Sequence, residues 1–245
     1  MERLLAATAS VEDTHFWFLG LRRFAAQMLD RTLPATEGLR IIDCGSGTGR
    51  NLDWLQRYGW AMGVELEPAG LAVGRRRGRR MVRGTVAALP VPDGSFDLAT
   101  SFDVIYSLDG VIEAQALMEM HRVLKPGGFV LINAAALDIL RGSHSALANE
   151  RRRYTSSMLR LKLADAGFDV CRMSYTNMGT LPLTVAVRLA QRLSGRGNQA
   201  GELEMTVPPT PVNQLLAGML WIEAAAMRLA PLPIGSSVMC VARRR

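Results

Sequence analysis

The stretch "IIDCGSGTGR" at 41–50 constrains this chain more than any other. A short apolar run ends in an acid, Asp43, and three glycines follow at alternate positions, Gly45, Gly47 and Gly49, with Ser46 and Thr48 between them. Lacking a Cβ, each glycine lets a ligand approach the main chain at van der Waals distance and tolerates positive φ. A helix opening after such a turn presents free N–H groups to whatever sits there. The apolar run reads as a strand, which puts the turn at a strand's carboxyl end, where open α/β sheets bind their ligands.

From 39 to 133, short β-type runs alternate with helical stretches: "LRIIDC", "NLDWLQRYG", "AMGVEL", "PAGLAVGRRR", "RMVRG", "FDLATSFDV", a helix over 112–124, and "GFVLIN". That rhythm predicts βαβ units and a mostly parallel sheet covered on both faces. "KPGG" at 125–128 reads as a stop between helix and strand. Further on, Thr155 is placed to cap a helix that Gly167 ends, and "FDVCRMSYT" and "SSVMCVARRR" read as two late strands. Between those strands, residues 177–236 hold an amphipathic "LPLTVAVRLAQRL", a loose "SGRGNQAGE", a Pro-rich "VPPTPVN" and a helical "QLLAGMLWIEAAAMRL". An insertion that long predicts a folded lid, a lipid-facing element or a dimer surface. The expected organisation is one domain over 1–245. It comprises a helical cap (1–38), a ligand-binding core (39–176), the helical insertion (177–236) and a last strand (237–245).

Composition narrows the class. The chain is 49% hydrophobic and 21% charged, which suits a folded protein and excludes a disordered one. Basic residues exceed acidic ones by 29 to 22, so the surface favours acidic substrates, phosphates or anionic lipid heads. Cys44, Cys171 and Cys240 are scattered through apolar runs, which suggests neither a disulfide framework nor a metal site and fits a reducing cytoplasm. No stretch reaches the ~18–20 uninterrupted apolar residues of a membrane span, which leaves contact with a membrane surface open. The basic tract "GRRRGRR" at 74–80 lacks the interleaved aromatics that stack bases, so nucleic acid is disfavoured as a partner.

A second acid, Glu65, closes the next strand in "GVELEP", followed by Leu66; its carboxylate suits two neighbouring ribose hydroxyls. A nicotinamide dinucleotide site would place its third glycine one position later, where Arg50 stands. The spacing here instead resembles motif I of the class I S-adenosylmethionine (SAM) dependent methyltransferases. "GVELEP" is similar to that family's second strand, "ALPVPDGSFDLATSFDV" to its fourth-strand block and "EMHRVLKPGGFVLI" to its fifth. "HFWFLGLRR" at 15–23, "ERRRYT" at 150–155 and the tail resemble a bacterial subgroup of the type-11 branch, extending the likeness nearly end to end.

The resemblance implies a Rossmann-like fold with a seven-stranded, mostly parallel sheet, SAM as cofactor and its demethylated form, S-adenosylhomocysteine, as product. It implies that Asp43, Gly45, Ser46, Gly47 and Gly49 frame the methionine moiety, that Glu65 and Leu66 hold the ribose, and that Phe102 and Asp103 sit against cofactor and substrate. Two departures stand out. Thr85 replaces an acid the family often sets near the adenine amine, which shifts adenine recognition to Thr85, Val86 and Ala87. Tyr106 and Ser107 replace an acid–His pair, which removes one candidate catalytic histidine.

His144 is the histidine in the region that covers the acceptor in this fold, and so the expected general base, with Tyr154 as a second catalytic candidate. Candidate substrate contacts are His15, Trp17, Tyr106 and Arg153. The aromatic block His15–Phe18 reads equally as a plug over the sheet or a lid over the pocket. Arg151 to Arg153 are either a solvated face or a clamp for an acidic substrate. His121 reads as structural. The expected function is methyl transfer to a small, hydrophobic acceptor at O, N or C, by a monomer or homodimer. Competing readings are a nucleic-acid or protein methyltransferase, a non-catalytic SAM-binding protein and a nicotinamide oxidoreductase.

Overall fold

A computed structural model describes residues 2–142, 149–193 and 206–245. Seven strands build one sheet in the order β3-β2-β1-β4-β5-β7-β6. They are β1 (Leu39–Cys44), β2 (Gly59–Glu65), β3 (Met81–Arg83), β4 (Phe96–Phe102), β5 (Leu124–Ala135), β6 (Phe168–Thr176) and β7 (Ser237–Arg244). The first five run parallel, and β7 lies antiparallel between β5 and β6. Because the order reverses between β1 and β4, a crevice opens at their carboxyl ends, where the glycine turn lies.

Helices cover both faces: α1 (Glu2–Val11), α2 (Phe16–Asp30), α3 (Arg50–Leu55), α4 (Pro68–Arg76), α5 (Gly110–Val123), α6 (Ser156–Asp165), α7 (Leu181–Leu193) and α8 (Thr210–Ala226). The central strands are near-continuous apolar runs because alternate side chains enter two separate cores. Ile42, Ala99, Val130, Ile132 and Cys240 pack with α5 and α6 on one face. Ile41, Leu98, Leu131 and Met239 pack with α2, α3 and α8 on the other. Asp109 caps α5 by accepting from the N–H groups of Val111 and Ile112, and Thr155 caps α6 by accepting from Met158 N–H.

Three expectations need correction. "KPGG" does not separate helix from strand: β5 begins at Leu124, paired with Phe96, and the ladder shifts register before Leu98 meets Phe129. Gly127, at φ +76°, absorbs the irregularity inside the strand. The N-terminal segment is more than a cap, since Phe24, Ala25, Met28 and Leu29 of α2 are fully buried in the second core. Nor is the insertion a single lid. α8 packs on α2 so closely that a Cβ on Gly20 would meet Leu220 Cδ1 at 2.4 Å, while α7 packs by the short 3-10 turn Asp138–Leu140 and over the crevice. The loose segment "SGRGNQAGE" lies outside the described residues.

Candidate active site

A cavity of about 730 Å³ opens at the carboxyl ends of β1, β2 and β4, within the range of small-molecule sites. Its floor is the glycine turn. Gly45, Gly47 and Gly49 hold φ of +78°, +58° and +76°, a left-handed backbone that side chains disfavour. Gly45 N–H and Ser46 N–H both donate to Val64 O, which ties the turn to β2. Gly47 N–H donates to Glu65 Oε2 at 2.7 Å, and Glu67 N–H to Glu65 Oε1 at 2.8 Å. Glu65 therefore reaches the cavity in a fixed orientation with lone pairs to spare, and burial raises its pKa.

Gly45, Ser46, Gly47, Glu65, Leu66, Thr85, Val86, Phe102 and Asp103 all line this one cavity, as do His15, Trp17, Tyr106 and Arg153. Residues from six separate stretches of chain thus meet. Gly49, Asp43 and Ala87 do not line it. Gly49 is the N-cap of α3 and faces Met81 and Arg79, so it shapes the turn from behind. Asp43 is buried beneath the turn, where its Oδ1 accepts from the Thr100 hydroxyl at 2.7 Å and its Oδ2 has no partner among the described residues. Burial pushes its pKa up to about 7. Ala87 N–H donates to Thr85 Oγ1, closing a tight turn.

Tyr154 requires a correction. It is fully buried in the first core, its hydroxyl donating to Glu113 Oε1 at 2.7 Å, and Glu113 is also held by Arg152 at 2.8 Å and Lys162 at 2.9 Å. Burial, first of all, raises the Tyr154 pKa further from neutrality. A side chain so placed ties α5 to α6 and cannot touch an acceptor. His144 lies outside the described residues. His15 caps α2, its Nδ1 accepting from Trp17 N–H, and burial lowers its pKa, which keeps the ring neutral at pH 7. Arg153 is clamped by Glu150 through Nε at 2.6 Å and Nη2 at 2.9 Å, and also donates to Ala136 O, so its charge is already answered.

Asp103 dominates the inner end. It takes a left-handed backbone, φ +59°, that a non-glycine residue adopts at a cost of ~1–3 kcal/mol. Its Oδ1 accepts from Asn133 Nδ2 at 3.0 Å and its N–H donates to Asn133 O, so Asn133 on β5 fixes it twice. Burial raises its pKa to about 7, with Asn133 pulling down and Glu150 pushing up. Beyond it, Leu108, Leu140, Leu183 and Val187 give the outer wall an apolar character.

Sequence reasoning missed what closes the other end. Leu5, Thr8 and Val11 of α1 line the cavity above the turn. Buried Glu12 accepts from the Thr48 hydroxyl at 2.6 Å, while buried Arg79 donates to Thr48 O at 2.9 Å and to both oxygens of Asp53. Arg79 belongs to the basic tract at 74–80, and its deep burial has no signature in sequence.

The residues fit SAM: a turn held open by positive φ, a carboxylate one strand over aimed into the same cavity, and apolar Val86 and Phe102 beside them. Residues 42–132 match the model of a methyltransferase domain. The malonyl-[acyl-carrier protein] O-methyltransferase 1 of Coxiella burnetii is 33% identical over 129 residues, covering 50% of this chain and 45% of that one. The chain thus spans about half the length of that relative, and 48% of a demethylmenaquinone methyltransferase of Tropheryma whipplei at 34% identity. A ubiquinone/menaquinone biosynthesis C-methyltransferase of Shewanella baltica is 26% identical over 65% of this chain and 77% of its own. Among solved structures, a SAM-dependent methyltransferase of Thermotoga maritima superposes with a TM-score of 0.63 over 100% of this chain and 97% of that one, at 18% identity, which shows the shared fold. Residues 42–132 thus carry a methyltransferase domain, and the strand order with its acid-flanked glycine turn gives the chain the Rossmann-like fold of the class I S-adenosylmethionine-dependent methyltransferases.

Proposed function

We propose that this chain methylates a small, apolar molecule at an oxygen, nitrogen or carbon that carries a removable proton. One observation carries the reading: a single continuous cavity joins the glycine turn and Glu65 to Asp103, and continues outward between apolar walls. When bound, SAM supplies a methyl group on a sulfonium, an activated donor that needs little further help from the protein. The chain's own work is to align and to shield. The turn and Glu65 would fix the donor end, and Phe102 and Tyr106 would press the reacting centres together, where orientation accounts for ~7–11 kcal/mol of barrier at most. Leu183 and Val187 of α7 would exclude water as a lid.

In place of the expected His144, which lies outside the described residues, and of Tyr154, which is buried in the core, the proposed base is Asp103. Its Oδ2 accepts no hydrogen bond among the described residues, and a pKa of about 7 suits proton acceptance near neutrality. The proton would pass from the acceptor's O–H, N–H or C–H to that oxygen and leave to solvent with the product. Because Arg153 is already answered by Glu150 and the inner end is acidic, the site favours a protonated nucleophile over a free carboxylate acceptor. The relatives are named for a malonyl group on a carrier protein and for quinone precursors; of these chemistries, the apolar walls favour the second. All three cysteines are unpaired, which supports a reducing cytoplasm as the place of action. Calorimetry with SAM, S-adenosylhomocysteine and NAD tests the cofactor, and turnover of phenols and quinols with lengthening alkyl tails tests the acceptor. Binding of NAD alone, or turnover indifferent to tail length, would sink the reading.

A further inference from the structure

From Leu215 to Ala226, buried Glu223 apart, helix α8 is apolar on every side, yet only half of it is covered. Its inward side chains Leu216, Leu220 and Ala224 are buried, and apart from Glu223 no residue from Thr210 to Ala226 carries a charge. A helix without a polar face belongs in a core or against lipid. Here Leu215, Met219 and Ile222 recur at helical spacing on the open side, and Leu215 and Ile222 are 66% and 65% exposed. Leu229, just past the helix, is 92% exposed. Single exposed apolar residues need no explanation; a continuous stripe of them marks an interaction surface.

The border of the stripe is cationic. Arg23 of α2 stacks over half-exposed Trp221 with its Cζ 5.2 Å from the ring centroid, and Arg228 holds Gln27. Neither makes an ion pair among the described residues. The nearby acids are taken: Glu223 accepts from the N–H groups of Met178 and Gly179, and Asp30 accepts from the Tyr58 hydroxyl and Arg57. An apolar stripe bordered by unanswered arginines and an amphipathic tryptophan is the pattern of an element lying in a membrane interface. A second copy of the chain packed on this stripe would bring like charges to the border, whereas an anionic bilayer answers them. Among the described residues no helix is long and apolar enough to cross a membrane, so the contact is with the surface.

The stripe is also joined to the cavity. Asn213, in the first turn of α8, accepts from Phe16 N–H and donates to Thr14 O, and Phe16 lines the cavity. Leu183 and Val187 of α7 are at once cavity wall and 52% and 42% exposed. We infer that α8, with Arg23 and Arg228, docks this chain on an anionic lipid surface.

Vesicle flotation of the full chain tests this, with mixed phosphatidylglycerol–phosphatidylcholine vesicles against pure phosphatidylcholine. The chain is expected to float with the mixed vesicles and to detach as salt rises. Replacing Arg23→Ala and Arg228→Ala together should weaken that binding roughly thirtyfold, about fivefold for each arginine near an anionic surface. The pair Leu215→Gln and Ile222→Gln should abolish it. Both pairs should melt like the parent chain and bind SAM as tightly, so a failure of SAM binding speaks to the proposed function and a failure to float speaks to this inference alone. Two results would overturn it: no flotation with either vesicle, or a dimer in sedimentation that the Leu215/Ile222 pair disperses while vesicles bind nothing.

Discussion

Glu65→Gln isolates the contact on which cofactor recognition should turn. The carboxylate accepts two main-chain N–H groups, from Gly47 at 2.7 Å and Glu67 at 2.8 Å, and still has lone pairs for a ligand. Glutamine keeps one acceptor oxygen and turns the other into a donor, so one of those N–H groups loses its partner and the charge disappears. A hydrogen bond to a charged group contributes about 1.5–3 kcal/mol. At about 1.4 kcal/mol per decade, the variant should bind SAM roughly 12- to 150-fold more weakly. The product gives a sharper test. S-adenosylhomocysteine has the same ribose and no sulfonium charge, so a ribose contact predicts equal losses for both, and a contact with the sulfonium predicts a larger loss for SAM. Titration calorimetry reads both constants, with a melting curve to register any loosening of the turn. An unchanged Kd, or a loss confined to SAM, would refute the assignment.

Tyr154→Phe should cost about 1.5–3 kcal/mol of stability in urea unfolding, because a buried hydroxyl leaves Glu113, and should not alter SAM affinity; lost turnover at unchanged stability would restore a catalytic role. Once an acceptor is known, the rate should fall as pH drops below about 7, where Asp103 gains its proton, and Asp103→Asn should be roughly a hundredfold slower or worse with that acid limb gone. A flat parent profile would exclude Asp103 as the base. Asp43 bears on stability: raised from 3.8 to about 7, it holds a proton in the folded state that the unfolded chain releases. Its contribution is therefore complete below the lower value and lost as pH rises through the upper one, and Asp43→Asn should flatten the fall in unfolding free energy across that window. Gly45→Ala should destabilise by about 1–3 kcal/mol or more, since it needs φ +78° and its Cβ would lie 2.5 Å from Val104 Cγ2; equal melting temperatures would contradict it.

The sequence by itself carried whatever is local and periodic. The three glycines, the acids Asp43 and Glu65 at strand ends and the alternating cores of β1, β4 and β5 leave their marks within a few residues, because strand period and turn chemistry are short-range properties. That was sufficient for the sheet, the turn and its nucleoside ligand. Only tertiary structure decided which polar groups are buried together. Glu12 meets Thr48 across 36 residues, Tyr154 meets Glu113 across 41, and Phe16 meets Asn213 across 197. No periodicity links such partners; they are chosen by the requirement that a buried polar group find a partner, wherever the chain brings one. The same packing sent Tyr154 into the core, drew Asp103 against Asn133, and left α8, as apolar outside as within, facing solvent along one side.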